Sequence, residues 1–151
     1  MQRVANCIYM KNGEILLLQK PRRGWWAIPG GKVEPKETVK AAAIREYGEE
    51  TGIQIRDPII KGIYTFLIED DDKFTEWMMF TFFADQFAGE NVPNCEEGKL
   101  EWHPLETIHQ LPMAPGDYHI LDYALKGSDV MYGTFIYTED FELLSYRLDP
   151  S

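Results

Sequence analysis

Three glutamates crowd one side of a short helical stretch. Glu46, Glu49 and Glu50 stand three and four residues apart near the end of residues 36–50, a segment centred on Ala41-Ala42-Ala43. Alanine is the strongest helix former, and Gly52 is placed to cap the C-terminus. At about 100° per residue the three carboxylates share a sector of roughly 100°. Like charges so close repel, and the C-terminal end of a helix is where its dipole tolerates them least. A solvated acidic face is the ordinary explanation of such a run. The neighbours argue against it: Val39, Ala42, Ala43 and Ile53 project from the same sector, Ile44 and Tyr47 from the opposite one. A helix apolar on both sides is expected between layers, with its acids facing a cleft. Gly48 inside the helix costs about 1 kcal/mol relative to alanine, which predicts close packing there or a local irregularity. A divalent cation bound by hard carboxylate oxygens would offset the repulsion.

The flanks supply strands. Residues 5–10 and 14–19 are β-rich runs on either side of Lys11-Asn12-Gly13, and Asn-Gly is a strong hairpin signal. The run Gly24-Trp25-Trp26-Ala27-Ile28-Pro29-Gly30-Gly31 excludes regular structure and lets backbone approach a ligand closely. Residues 59–68 and 77–84 read as strands around a solvated turn at 69–72, and 100–103 as a short strand. Residues 117–126 read as a helix, and 134–138 with 143–148 as a closing hairpin. Strands and helices mix without a regular βαβ alternation, so an α+β fold or a mixed sheet with packed helices is expected. The 151 residues carry no repeat or linker and are read as one domain, 1–151. A chain of this length buries roughly 68–70% of its unfolded surface and needs no staples.

The net charge of −10 makes non-specific binding to long nucleic acid or an anionic membrane a poor prospect. It leaves room for one nucleotide, provided a divalent cation lies between its phosphates and the carboxylates. Cys7 and Cys95 show no metal or redox spacing, and His103, His109 and His119 are scattered. The N-terminus lacks a long apolar core, and no apolar run approaches the ~20 residues of a membrane span. A cytoplasmic location is expected.

Read with its flanks, the helix is part of a longer pattern: Gly31, five residues, Glu37, seven residues, then Arg45-Glu46-Tyr47-Gly48-Glu49-Glu50-Thr51-Gly52-Ile53. This resembles the Nudix box, G-x5-E-x7-R-E-U-x-E-E-x-G-U, at every position but one. Tyr47 stands where the family has an aliphatic residue, a local repacking. The resemblance implies an α/β fold, the Nudix α/β/α sandwich with a mixed central β-sheet and the box on a loop-helix-loop. It implies hydrolysis of a nucleoside diphosphate linked to another group, with Mg²⁺ or, as a substitute, Mn²⁺. By position Glu46, Glu49 and Glu50 would ligate metal with the carbonyl of Gly30, and either Glu46 or Glu50 would act on the attacking water. Glu37 and Arg45 would form a structural ion pair. On the helical wheel Glu37 points away from the Glu46 sector, in keeping with a separate role. Gly31 and Gly52 would be turn residues. Lys32, or Arg22 and Arg23, would add positive charge at the phosphates, with a solvated surface role as the alternative.

Four further segments resemble the MutT-type branch, which removes oxidised purine nucleoside triphosphates. They are Gly24-Trp25-Trp26, the run from Cys95 to Trp102, the run from Leu111 to Asp117, and residues 133–149. In a member acting on 8-oxo-dGTP, a Trp-Pro-Asp-Asp segment whose acids read the base stands where Ala114-Pro115-Gly116-Asp117 stands here. Asp117 matches the second acid; Ala114 and Gly116 replace the tryptophan and the first acid. Asp117 is therefore a base-reading candidate, with helix N-capping as its alternative. Glu97 falls on an extra metal-ligating glutamate, with Glu96 as competitor. Trp26, Phe83 and Tyr118 are candidates to stack on a base, although aromatics mostly serve cores. The leading expectation is an enzyme that splits a nucleoside triphosphate, foremost 8-oxo-dGTP, into monophosphate and pyrophosphate. The rivals are another Nudix substrate (a nucleotide sugar, dinucleoside polyphosphate or capped RNA) and a non-catalytic nucleotide- or metal-binding module.

Overall fold

The first turn is set by two residues in the left-handed region, Asn12 at φ 54° and Gly13 at φ 77°. That is the backbone of a tight hairpin, and it pairs Lys11 with Glu14 and Met10 with Ile15. The computed structural model describes residues 1–89, 94–95, 97–127 and 129–150. In chain order its strands are β1 (Gln2–Lys11), β2 (Glu14–Gln19), β3 (Trp26–Ala27), β4 (Gly30–Lys32), β5 (Gln54–Arg56), β6 (Ile59–Asp70), β7 (Lys73–Ala84), β8 (Gln86–Ala88), β9 (Asn94–Cys95), β10 (Gly98–Pro104), β11 (Met131–Thr138) and β12 (Leu143–Pro150). Helix α1 spans Val39–Thr51, α2 spans Pro115–Lys126, and a 3-10 turn spans Leu105–Gln110. Among the described residues no helix is long and apolar enough to cross a membrane.

The main sheet runs β12-β11-β6-β7-β1-β2-β10-β9, with β3 on β2 and β4 on β1. The pairs β1–β7 and β6–β11 are parallel and the rest antiparallel, so the sheet is mixed as expected. Alternation along β1 divides the core. Ala5, Cys7 and Tyr9 face α1 with Ala42, Ala43, Tyr47 and Ile53. Ile8 faces the α2 side with Leu17, Tyr64, Phe66, Phe135, Ile120 and Leu121. The result is an α/β/α sandwich.

Several boundaries differ from the sequence reading. Helix α1 starts at Val39, not residue 36. Pro35 precedes Lys36, which sits at φ 71°, and the Thr38 hydroxyl accepts the Ala41 N–H at 3.0 Å as N-cap. Its end agrees: Gly52, at φ 76°, donates its N–H to Gly48 O at 2.9 Å. The turn expected at 69–72 shrinks to Asp71-Asp72, because β6 and β7 keep pairing to Asp70↔Lys73. Strand β7 there is exposed on both faces and carries no apolar alternation to read. Strands β10, β11 and β12 also outrun their apolar cores, β11 because it pairs with β6 along its whole length.

Helix α1 has one buried arc rather than two apolar sides. Tyr47 is fully buried in the same cluster as Ala42, Ala43 and Ile53. It sits one turn beyond Ala43, so the two share a face. The close packing expected at Gly48 is absent: a Cβ there would meet only Ile53 O at 3.8 Å, an ordinary contact. Gly48→Ala is therefore expected to raise stability by about 0.5–1 kcal/mol, since alanine removes the entropic cost of glycine in a helix. Urea denaturation at neutral pH measures it.

Candidate active site

The site starts from Gly30. Its N–H donates to Glu50 Oε1 at 2.7 Å, tying the end of α1 to β4. A Cβ on Gly30 would lie 2.3 Å from Ala5 O, so only glycine lets β4 approach β1 this closely. At Gly31 a Cβ would strike the Glu46 carboxylate at 2.3 Å. The two glycines thus set two box acids against the loop.

Glu50 is only 5% exposed, and its Oε2 has no partner. The carboxyl of Glu97, from the turn between β9 and β10, lies next to it. Burial first, then the Glu97 carboxyl, raise Glu50 well above the usual carboxylate range. Glu97 moves the other way, lowered chiefly by Glu50. Lys20, just past β2, holds Glu97 at 3.7 Å. The competitor Glu96 lies outside the described residues, as does the side chain of Cys95.

Arg45 organises the other acids. Its Nε and Nη2 donate to Glu37 Oε2 and Oε1 at 2.7 and 2.9 Å, the bidentate pair expected. Glu37 lies ahead of the helix, in the loop before Thr38, so a helical wheel does not describe it. Arg45 Nη1 donates to Glu46 Oε1 at 3.0 Å and to Glu49 Oε1 at 3.3 Å. Nη2 also donates to Lys32 O at 3.1 Å. The like charges on α1 are thereby offset by a guanidinium. Among the described residues no three acids or other ligating side chains converge on one point. Glu46 and Glu49 lean on Arg45, while Glu50 and Glu97 meet each other. The donor set still suits a hard divalent cation: all its side-chain ligands are carboxylates, two of them, Glu50 and Glu97, are neighbours, and one buried oxygen has no partner.

The guanidinium beside Glu37 drives its carboxyl down to about 2. Such a depressed carboxyl contributes stability that is full above the ordinary glutamate value and is lost as pH falls through the folded one. Glu37→Gln is expected to be less stable than wild type at neutral pH. The gap should close between about pH 4.5 and 2, in urea titrations at stepped pH.

Two openings meet here. A cleft of about 520 Å³ is lined by Gly30, Gly31, Lys32, Glu34, Glu46 and Glu97, with Lys20 at its edge. A second pocket, of about 380 Å³, is walled by Trp25, Trp26, Ala27, Ala114 and Phe141, with Asp117, Arg22, Arg23 and again Lys20. Lys32 thus belongs to the acidic cleft, and Arg22 and Arg23 to the apolar pocket. The Arg23 guanidinium lies 5.0 Å from the Trp25 ring and 5.1 Å from Phe141, and donates to Asp140 O. Trp26 is nearly buried, T-shaped to His103, and is one of the pocket's lining residues. Phe83 and Tyr118 line neither opening: Phe83 packs against the α2-side core, and Tyr118 donates to Leu111 O.

Asp117 is not the N-cap of α2. The helix begins at Pro115 after Ala114, which makes no capping bond, and Asp117 is its third residue. Burial pushes its carboxyl up to about 7. Lys20 and Phe141 escaped the sequence reading. Lys20 belongs to no motif. It meets Glu97 because β10 pairs with β2 up to Gln19, where Gly98 approaches Gln19 O more closely than any Cβ permits. Phe141 reaches the pocket from the β11–β12 turn at φ 61°.

A NUDIX domain model matches residues 1–124. An uncharacterized Nudix hydrolase, YvcI, of Bacillus subtilis strain 168 is 59% identical over 151 residues, 99% of this chain and 96% of that protein. A CTP pyrophosphohydrolase of Escherichia coli K12 is 31% identical over 126 residues, 81% of this chain and 90% of that one. The crystal structure of a MutT protein from Bacillus halodurans superposes with TM-score 0.95 at 51% identity, covering 99% and 98% of the two chains.

Proposed function

Because the chain belongs to the Nudix hydrolase family, enzymes acting on nucleoside diphosphate-linked substrates, we propose that residues 1–151 act as one cytoplasmic, Mg²⁺-dependent nucleoside triphosphate pyrophosphohydrolase. Its leading substrate is an oxidised purine such as 8-oxo-dGTP, and its products are the monophosphate and pyrophosphate. One observation carries this reading: the acidic cleft and the apolar pocket adjoin, and Lys20 lines both. A base fits the pocket and a polyphosphate the cleft, and both volumes fall in the range of small-molecule sites.

Glu46, Glu49, Glu50 and Glu97, with the Gly30 carbonyl, would hold the metal. Bound Mg²⁺ supplies charge neutralisation for the diphosphate and a more acidic water, and Mn²⁺ would substitute. The chain's own groups do the rest. Glu50, with one oxygen fixed by the Gly30 N–H and the other unengaged, accepts the proton of the attacking water. Glu46 has one oxygen committed to Arg45 and serves as ligand. Lys20 and Lys32 bring positive charge to the phosphates. Glu37 and Arg45 fix the loop on the helix, and Gly52 turns the chain at the helix end; Gly31 is no turn residue but lies within β4, where its missing Cβ leaves room for the Glu46 carboxylate. Trp26 offers a ring face to the base. Arg23, held between Trp25 and Phe141, lines the same wall. Asp117, neutral up to about pH 7, can donate as well as accept at a purine edge.

The test is a Mg²⁺ hydrolysis panel of 8-oxo-dGTP, dGTP, CTP, ADP-ribose, a dinucleoside polyphosphate and capped RNA, with products identified. The expected result is the highest kcat/KM on 8-oxo-dGTP, with pyrophosphate released. Asp117→Ala should lower that value about 10–100-fold and flatten the preference over dGTP. Equal rates on dGTP and 8-oxo-dGTP in wild type would remove the sanitising role. Preference for CTP, ADP-ribose or capped RNA would reassign the substrate, and no turnover at all would leave a binding module.

A further inference from the structure

One face of the main sheet is only partly covered. Helix α1 packs over β1 and reaches β7, while α2 covers β6, β11 and β12 from the opposite side. Register places Tyr132, Ile63 and Phe80 in one row of the α1-side face. Arg147, Thr134, Thr65, Met78 and Arg3 form the next row, and Ser145, Ile136, Leu67 and Glu76 the third. Glu69 and Phe74 follow. Ile63, Leu67, Met78, Tyr132 and Ile136 belong to neither core cluster, and Tyr132 and Phe74 are 45% and 67% exposed. Among the described residues no element lies over them, and Arg3, Arg147, Glu69 and Glu76 enter no ion pair. A contiguous apolar face bearing unpaired charges of both signs marks an association surface, not a solvated one.

We propose that this face binds a second copy of the chain, forming an isologous dimer about a two-fold axis that runs across the strands. Both features of the face favour that occupant. It is self-complementary in charge: an axis between the Met78 and Glu76 rows sets Thr65 against the second copy's Leu67 and Thr134 against its Ile136. The same axis brings Arg3 beside the second copy's Glu76. It is also large enough. Five strands about 4.8 Å apart and rows about 6.8 Å apart give on the order of 600 Å² per copy, at the lower end of stable interfaces. Gln2 and Val4, which line the cleft, alternate with Arg3 along β1 and so point to the other face of the sheet, and the apolar pocket includes no residue of this face.

Sedimentation equilibrium of the full chain, from about 1 to 100 µM, tests it. The expected result is a species of twice the 17.5 kDa chain mass. Leu67→Glu should weaken it by at least about tenfold. Arg3→Glu should weaken it similarly, and the double swap Arg3→Glu with Glu76→Arg should restore it. Circular dichroism and nucleotide hydrolysis confirm that each variant is folded; the charge swap remains decisive if Leu67→Glu does not fold. A monomer across the whole range overturns the proposal. So does a dimer that ignores both substitutions, or one broken instead by Ser145→Pro on the β12 edge, which would indicate edge-strand pairing.

Discussion

Glu50→Gln is expected to lower kcat by about 10²–10⁴-fold while leaving the protein folded. The amide keeps the shape of the side chain and can still accept the Gly30 N–H that Glu50 receives at 2.7 Å. In the proposed function it would remove the negative charge offered to a metal and the basic oxygen offered to water. The stability of the same variant tests the reading separately. In wild type without metal, burial and the neighbouring Glu97 hold the Glu50 carboxyl above its ordinary range. A raised carboxyl contributes stability that is full below the unfolded value and is lost as pH rises through the folded one. Metal-free Glu50→Gln should therefore gain on wild type as pH rises from about 4.3 upward, and equal or exceed it in alkaline buffer. Unchanged turnover would remove Glu50 from the chemistry. Lost turnover with a collapsed thermal transition would show a structural role only.

What was legible in the sequence is what lies close in sequence. The acids of α1 follow from spacing within one helix, and the pairing of Glu37 with Arg45 from the resemblance of that segment to the Nudix box. Their resting partners do not: nothing in the spacing says that Arg45 takes up Glu46 and Glu49 while Glu50 turns to Gly30 and Glu97. Tyr47, the one departure from the box, lies on the same buried face as Ala43, which coarse sectors hide because they separate residues that are neighbours across one turn. The apolar pocket was illegible as a whole. Its walls come from the glycine-rich loop, the start of α2 and the β11–β12 turn, segments far apart in sequence, and the Arg23 bond to Asp140 O ties the first to the last across 117 residues. Lys20 shows the same limit. A lone lysine after a strand is surface by default, and only the β2–β10 register sets it between the two openings.

Gly30→Ala should separate the backbone's part in this site from the carboxylates' part. The new Cβ would lie 2.3 Å from Ala5 O and 2.4 and 2.5 Å from Asn6 Cβ and Cα. None of these atoms is the end of a flexible chain. Gly30 pairs with Asn6, which is itself buried, so β4 can make room only by leaving β1. That withdraws the N–H from Glu50 and leaves a second buried carboxylate oxygen unpaired, beside the Oε2 that already has no partner. Overpacking and the lost bond together should cost about 2–4 kcal/mol, read from the denaturation midpoint, with hydrolysis falling at least tenfold in the protein that remains folded. At Gly31 the atoms nearest a new Cβ belong to the Glu46 carboxylate, the end of a side chain, so Gly31→Ala should lose far less stability for a comparable loss of activity. If Gly30→Ala were as stable as wild type, the tight β4–β1 approach would not be what holds Glu50 in place. Glu50→Gln, inactive and stable, and Gly30→Ala, inactive and unstable, then give opposite signatures for one hydrogen bond, because one change removes the charge and the other removes the donor that positions it.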